Sequence, residues 1–166
     1  MKAWQVEAAR HDWSALRCGC GETGAHLPRT FDWLMSARAP GEVTEGLLSG
    51  HLEEQPMLFR VAPSAVPVIL AALAEEPPRF VRGRLLSVLG YLVAGESHRS
   101  EAEAGFPDLA EECRRAAGEG LWVLYREAAS GDAEAALDVL EFADPDQRRF
   151  HHFRSALERC TGERRS

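Results

Sequence analysis

The stretch SAVPVILAALAEEPPRFVRGRLLSVLGYLVAG, residues Ser64–Gly95, decides the fold class. Its first part, SAVPVILAALAEE, is apolar nearly all round two helical turns, as a helix buried in the middle of a protein must be. The second part places Phe80, Val81, Leu85, Val88, Leu89 and Leu92 at intervals of three and four. That is the period of an amphipathic helix, not the alternation of a strand. Pro78 suits the first turn of this helix and Gly95 the position after its last.

The same period extends outward in both directions. AHLPRTFDWLMSA sets Leu27, Phe31 and Leu34 on one helical face, and Trp13 and Trp33 fall on faces expected to be inside. FPDLAEECRRAAGEGLWVLYREAAS reads as one interrupted helix or two short ones, because Gly118 and Gly120 weaken its middle. DAEAALDVLEFAD and DPDQRRFHHFRSALERC complete the chain. In the latter, Asp144, Pro145 and Gln147 resemble a capping box with proline at the first helical position. Phe150, Phe153 and Leu157 form an apolar stripe that Cys160 continues. Only PMLFRVA, Pro56 to Ala62, has any strand character, and a short helix fits it equally. The expected class is all-α, with about seven or eight helices in a single domain over residues 1–166.

An internal similarity accompanies the helices. Pro28, Phe31, Leu34 and Leu47 superpose on Pro67, Leu70, Leu73 and Leu86 at a constant offset of 39 residues, and Pro107 follows Pro67 by 40. A helix pair repeating at about 40 residues is the period of HEAT-type solenoids. The alternative is an irregular bundle obeying the same packing rules. WSALRCGCGETGAHLP, PSAVPVILAAL and RGRLLSVLGYLVAGE together resemble the small HEAT-like repeat proteins of high-GC bacteria, over Trp13 to Glu96. In that pattern a tryptophan precedes a Cys/Gly turn and two proline-led helices follow. The resemblance implies an α–α superhelix used as a protein-binding scaffold. Some relatives are thought to be immunity or accessory proteins of toxin systems.

Composition narrows the function classes. The chain has 166 residues, 45% of them hydrophobic, enough for one domain with a sizeable core. No apolar run approaches the roughly 18 residues of a membrane span, and the N-terminus lacks the apolar core of a signal peptide. A cytoplasmic protein away from membranes is expected, and its four cysteines are then read as free thiols. The net charge of −7 opposes nucleic acid as the main partner. The charge is uneven. Glu96–Asp146 holds fourteen acidic residues against four arginines, whereas Gln147 to the end holds six arginines and two glutamates.

Few residues suggest chemistry. Cys18 and Cys20, with His11 and His26 nearby, are donors of metal-ligating type, but Cys-x-Cys is not the usual zinc-knuckle spacing. His151 and His152 are adjacent, and adjacent helical residues point about 100° apart. The preferred reading of CGCGETG is a helix-ending turn in which Gly19, Gly21 or Gly24 supplies positive φ and the cysteines pack as small hydrophobes. No metal and no cofactor are expected. GCGETG also matches G-x-G-x-x-G, yet HDWSAL before it is not strand-like, as a dinucleotide fold requires. His51 beside Glu53 and Glu54 has the makings of an acid–base group, but such neighbours are common on helix surfaces. Arg79, Arg82 and Arg84 with Trp33 or Trp122 would serve a base-excision enzyme built on a HEAT-like scaffold, which is the alternative function.

The acidic segment is the stronger feature. Glu134, Asp138 and Glu141 form one stripe at i, i+4 and i+7, with no basic residue in that helix to neutralise it. Asp108 and Glu112 repeat the spacing one helix earlier, with Arg114 and Arg115 at hand to pair locally. The expectation is a non-catalytic protein-binding module without catalytic residues. These five carboxylates would meet a basic partner protein, an effector or a toxin such as a nuclease. Exposed Trp4 or Trp122 would mark such an interface.

Overall fold

Helices form where the apolar period demands them. The structure, a computed structural model, describes residues 1–163, with side chains to Cys160, and is 68% helical. Among the described residues there are nine α-helices and one three-stranded sheet of two-residue strands. The first helices are α1 (Ala3–Ala9), α2 (Leu27–Ser36), α3 (Ala62–Ala74) and α4 (Arg79–Ala94). After α5 (Arg99–Glu103) come α6 (Leu109–Gly118), α7 (Leu121–Ser130), α8 (Ala133–Ala143) and α9 (Gln147–Glu163). The all-α class therefore holds. No helix among the described residues is long and apolar enough to cross a membrane.

Helices α3 and α4 occupy the centre. The first packs against α1, α4, α6 and α7, the second against α3, α6 and α8, while α8 also lies on α7 and α9. Val66, Val68, Ile69, Leu70 and Leu73 of α3 and Val81, Leu85, Leu89 and Leu92 of α4 are buried. They belong to one continuous cluster running from Trp4 to Phe150. Pro78 and Gly95 flank α4, as their positions suggest. The glycine-weakened stretch resolves into two helices, α6 and α7. Gly120 at their junction approaches α3 so closely that a Cβ there would meet the Leu70 side chain at 2.7 Å.

Four expectations need correction. The 39-residue superposition does not align equivalent positions. Pro28 lies in the first turn of α2, but Pro67 is inside α3, whose first turn carries Pro63 instead. Leu47 ends a 3-10 turn (Glu45–Leu47), whereas Leu86 is central in α4. Trp33 is 62% exposed: six residues beyond Leu27, it lies well round the helix from the buried Leu27–Phe31–Leu34 stripe. Asp144 is not the cap of α9. Asp146 caps it, accepting from the Arg148 and Arg149 N–H groups at 3.1 and 3.2 Å. The stripe of α9 also fades along its length, with Phe150 buried, Phe153 and Leu157 partly buried, and Cys160 exposed.

The chain between α2 and α3 is mostly non-helical. After 3-10 turns at Pro40–Glu42 and Glu45–Leu47 it forms β1 (Glu53–Glu54) antiparallel to β2 (Met57–Leu58). β3 (Glu96–Ser97), following α4, pairs parallel with β2. Of PMLFRVA only Met57 and Leu58 are therefore strand. This small sheet anchors the loop carrying His51 against the end of α4.

Candidate functional site

Residues 16–24 fold into a tight turn. The Cys18 N–H donates to the Glu22 carbonyl at 2.9 Å, the Gly21 N–H to the Cys18 carbonyl at 3.1 Å, and the Gly24 N–H to the Leu16 carbonyl at 2.8 Å. Gly21 supplies the positive φ, +90°, a conformation glycine adopts without steric penalty. Gly19 has a different task, because it sits against the loop that holds His51. Its N–H donates to the His51 carbonyl at 2.8 Å, and Gly50, at φ +83°, turns the chain just before His51. Arg17 binds the turn to the rest of the fold. Its carbonyl accepts from the Val61 N–H at 3.2 Å, and its guanidinium is 3.5 Å from the buried Glu101 carboxylate, which also meets Arg60 at 3.1 Å.

These contacts gather Cys18, Cys20, His26 and His51, whose ligand atoms all lie within 4.8 Å of one another. Cys18 Sγ is 3.3 Å from His51 Nδ1 and 3.8 Å from His26 Nε2, and the two ring nitrogens are 3.1 Å apart. His26 ends a 3-10 turn, Gly24–His26, at the entrance to α2. Its Nδ1 is 3.1 Å from the Thr23 carbonyl, to which only an N–H can donate, so Nε2 faces the cluster with its lone pair. Cys18 is buried, Cys20 is exposed, and both histidines are half-buried. His11, the fourth donor suggested by sequence proximity, lies elsewhere, 3.1 Å from Glu7 and edge-on to Trp13. His51 takes its place. It faces the cysteines rather than forming an acid–base group with Glu53 and Glu54.

Burial pushes the Cys18 thiol up to about 11 and, with His26 adding to it, moves His51 below its ordinary value. Both directions favour a thiol and a neutral imidazole. A cysteine nucleophile needs the reverse, a thiolate activated by a neighbouring base or cation.

The acidic stripe occupies a separate part of the molecule. Glu134, Asp138 and Glu141 are exposed on α8, and none of their carboxylates forms an ion pair among the described residues. Asp138 and Glu141 edge a groove of about 410 Å³ between α4 and α8. Ser87, Gly90, Ala94 and Ala135 line it together with Tyr91 and Phe142, which are 37% and 44% exposed. Glu134 extends the stripe beyond that lining. Asp108, exposed, and Glu112, half-buried, are not part of it, and Arg114 pairs with Glu111 at 3.8 Å. The aromatic groove edge, which sequence reasoning missed, was marked only by Tyr91 and Phe142 lying off the apolar faces of their helices.

The arginine group Arg79, Arg82 and Arg84 is partly engaged in holding the fold. Arg82 is 3.7 Å from the buried Glu127, and Arg84 donates to the Glu45 carbonyl and to Ser49 Oγ. Trp4 is buried, whereas Trp122 is 67% exposed and leans on Phe153. Comparison with known proteins finds no matching family model, no matching curated protein and no matching solved structure.

Proposed function

We propose that this chain is a non-catalytic protein-binding module that takes a basic amphipathic helix of a partner protein into the groove between α4 and α8. The observation that carries the reading is the pairing, in one groove, of an apolar lining with an unneutralised acidic edge. Tyr91 and Phe142 offer apolar and aromatic surface to the buried face of such a helix, and Gly90, Ala94 and Ala135 leave room for its backbone to approach. Asp138 and Glu141, prolonged by Glu134, would attract the Lys and Arg residues flanking that face and raise the association rate. The resemblance of residues 13–96 to small HEAT-like proteins supports a cytoplasmic regulatory or immunity role, in which the partner is a basic effector.

The test compares partners captured by the wild-type chain, by Asp138→Lys, and by Asp32→Lys, an equal charge change on exposed α2 surface. A basic protein retained by wild type and by Asp32→Lys but lost by Asp138→Lys supports the reading. Equal capture by all three, or loss to the same degree in both variants, defeats it.

A further inference from the structure

The geometry points to a zinc site formed by Cys18, Cys20, His26 and His51, a role independent of the docking groove. A tetrahedral zinc ion holds sulfur at about 2.3 Å and nitrogen at about 2.0–2.1 Å. Two ligands on such an ion stand apart by tetrahedral edges of about 3.5 Å for sulfur to nitrogen and about 3.3 Å for nitrogen to nitrogen. The observed separations are 3.3 and 3.8 Å for the two sulfur–nitrogen edges and 3.1 Å for the nitrogen–nitrogen edge. The fourth donor, Cys20 Sγ, lies within 4.8 Å of each of the others. Three of the six edges of a zinc tetrahedron are therefore already in place, and the three that run to Cys20 are no longer than 4.8 Å.

The surroundings prepare the same donors. The Thr23 carbonyl accepts a hydrogen bond from Nδ1–H of His26, which in the neutral ring leaves Nε2 as the acceptor facing the cluster. An imidazole oriented through its other nitrogen is the usual outer arrangement of a metal-bound histidine. The Gly19–His51 backbone bond locks the two loops in register, which brings His51 up to the cysteines and His26 of the other segment. His26 Nε2 and His51 Nδ1, 3.1 Å apart, can share one ring proton or bind one cation between them.

Donor chemistry selects the ion. Two thiolates and two imidazoles suit zinc, whereas magnesium and calcium require oxygen. Loading replaces the two thiol protons: Zn²⁺ binds two thiolates and two neutral imidazoles, two H⁺ leave to solvent, and the resulting assembly is neutral. That neutrality suits a site with one wholly buried and two half-buried ligands. With all four positions filled by protein, no coordination site remains for a substrate, so the ion is structural. It ties a turn near the N-terminus to a loop 33 residues further on.

The experiment uses the full-length chain, purified under reducing conditions without chelator, with metal content measured and Co²⁺ titrated into the stripped protein. The expected result is one zinc per chain, and a Co²⁺ complex with a thiolate-to-metal charge-transfer band and the intense visible bands of tetrahedral coordination. Because Cys20 is exposed, Cys20→Ser leaves the core intact, and it is expected to weaken Co²⁺ binding by more than about tenfold. Cys160→Ser, an exposed cysteine on α9, is expected to leave the spectrum unchanged. A reduced protein that gives no charge-transfer band with Co²⁺ overturns the assignment. So does a Cys20→Ser spectrum and affinity equal to those of the wild type.

Discussion

His51 Nδ1 stands 3.1 Å from His26 Nε2, although 25 residues separate them in the chain. Neither residue lies within an α-helix. Their contact depends on two loops held by the Gly19–His51 backbone bond and the small sheet. A metal bound there acts on the loops far more than on the helices. Zinc at about a thousand times its dissociation constant would add about 4 kcal/mol of stability. That is about 10 °C of melting temperature for a chain of this size. The expected outcome of chelation is a lower melting temperature with nearly unchanged helical circular dichroism at 25 °C. His51→Ala is expected to melt low and to be insensitive to chelator. A wild-type melting curve indifferent to both zinc and chelator would contradict this.

A second prediction concerns the seat of Gly19. A Cβ there would lie 2.5 Å from the Gly50 carbonyl oxygen and 2.6 Å from the Phe59 ring. The oxygen belongs to backbone and has little freedom to yield, so the two loops must separate. Gly19→Ala is expected to cost about 1–3 kcal/mol, the usual range for overpacking. Gly41→Ala, where a Cβ meets nothing within 4 Å, is expected to change stability by less than about 0.5 kcal/mol. Urea denaturation of the two variants side by side measures the difference.

Helices were legible wherever one face of one segment decided the outcome. Leu27, Phe31 and Leu34 are buried as their spacing requires, and Pro78 and Gly95 bound α4. Trp33 departs from the inside face expected of it because, six residues beyond Leu27, it lies well round α2 from that stripe. Pro67 failed because proline was read as a helix start, although a buried helix with strong tertiary packing tolerates one inside. The cluster was half visible. CGCG announced two donors and a turn, but His51 belongs to a loop whose position depends on contacts with residues 17–19, and no period within LLSGHLEEQP records them. Its one local sign is Gly50, a chain-turning residue directly before a histidine. Asp144 was visible as a polar residue beside proline, but its burial depends on α7 and α9 meeting over it.

That burial sets the acid sensitivity of the C-terminal helices. Arg149 binds both Asp144 oxygens, at 2.8 and 2.5 Å, and the Tyr125 hydroxyl donates to Oδ2 at 2.5 Å. The Arg149 hydrogen bonds, opposed by burial and aided by Tyr125 and the Asp146 N–H, hold the carboxyl down to about 2. A folded-state value below the unfolded one means that the charged form is stabilised by folding. The contribution is therefore complete above the unfolded value near 4 and lost as pH falls from there through about 2. It amounts to about 2 kcal/mol at neutral pH. Wild type is expected to lose that much between pH 5 and pH 2 at this site. Asp144→Asn is expected to be less stable at pH 7 and to show a correspondingly shallower acid slope. Urea midpoints at several pH values read both effects, and parallel slopes for the two proteins would remove Asp144 from the explanation.

The groove between α4 and α8 makes its own prediction, because its aromatic and acidic side chains, Tyr91, Phe142, Asp138 and Glu141, are exposed. Phe142 is 44% exposed, and Arg114 lies 5.5 Å over its ring, so Phe142→Ala removes surface area without opening the core. A stability change within about 1 kcal/mol is expected. Binding should respond differently, since an aromatic anchor at the centre of an interface is worth about 2 kcal/mol or more, a loss of about thirtyfold in affinity. The charged edge should act mainly on association. Asp138→Lys and Glu141→Lys are expected to slow the on-rate for a basic helical partner, and raising the salt should weaken wild-type binding more than that of the charge-reversed pair. Surface plasmon resonance at two ionic strengths separates the two contributions. An anchor effect without salt dependence would leave the groove as the docking site but make its partner apolar rather than basic.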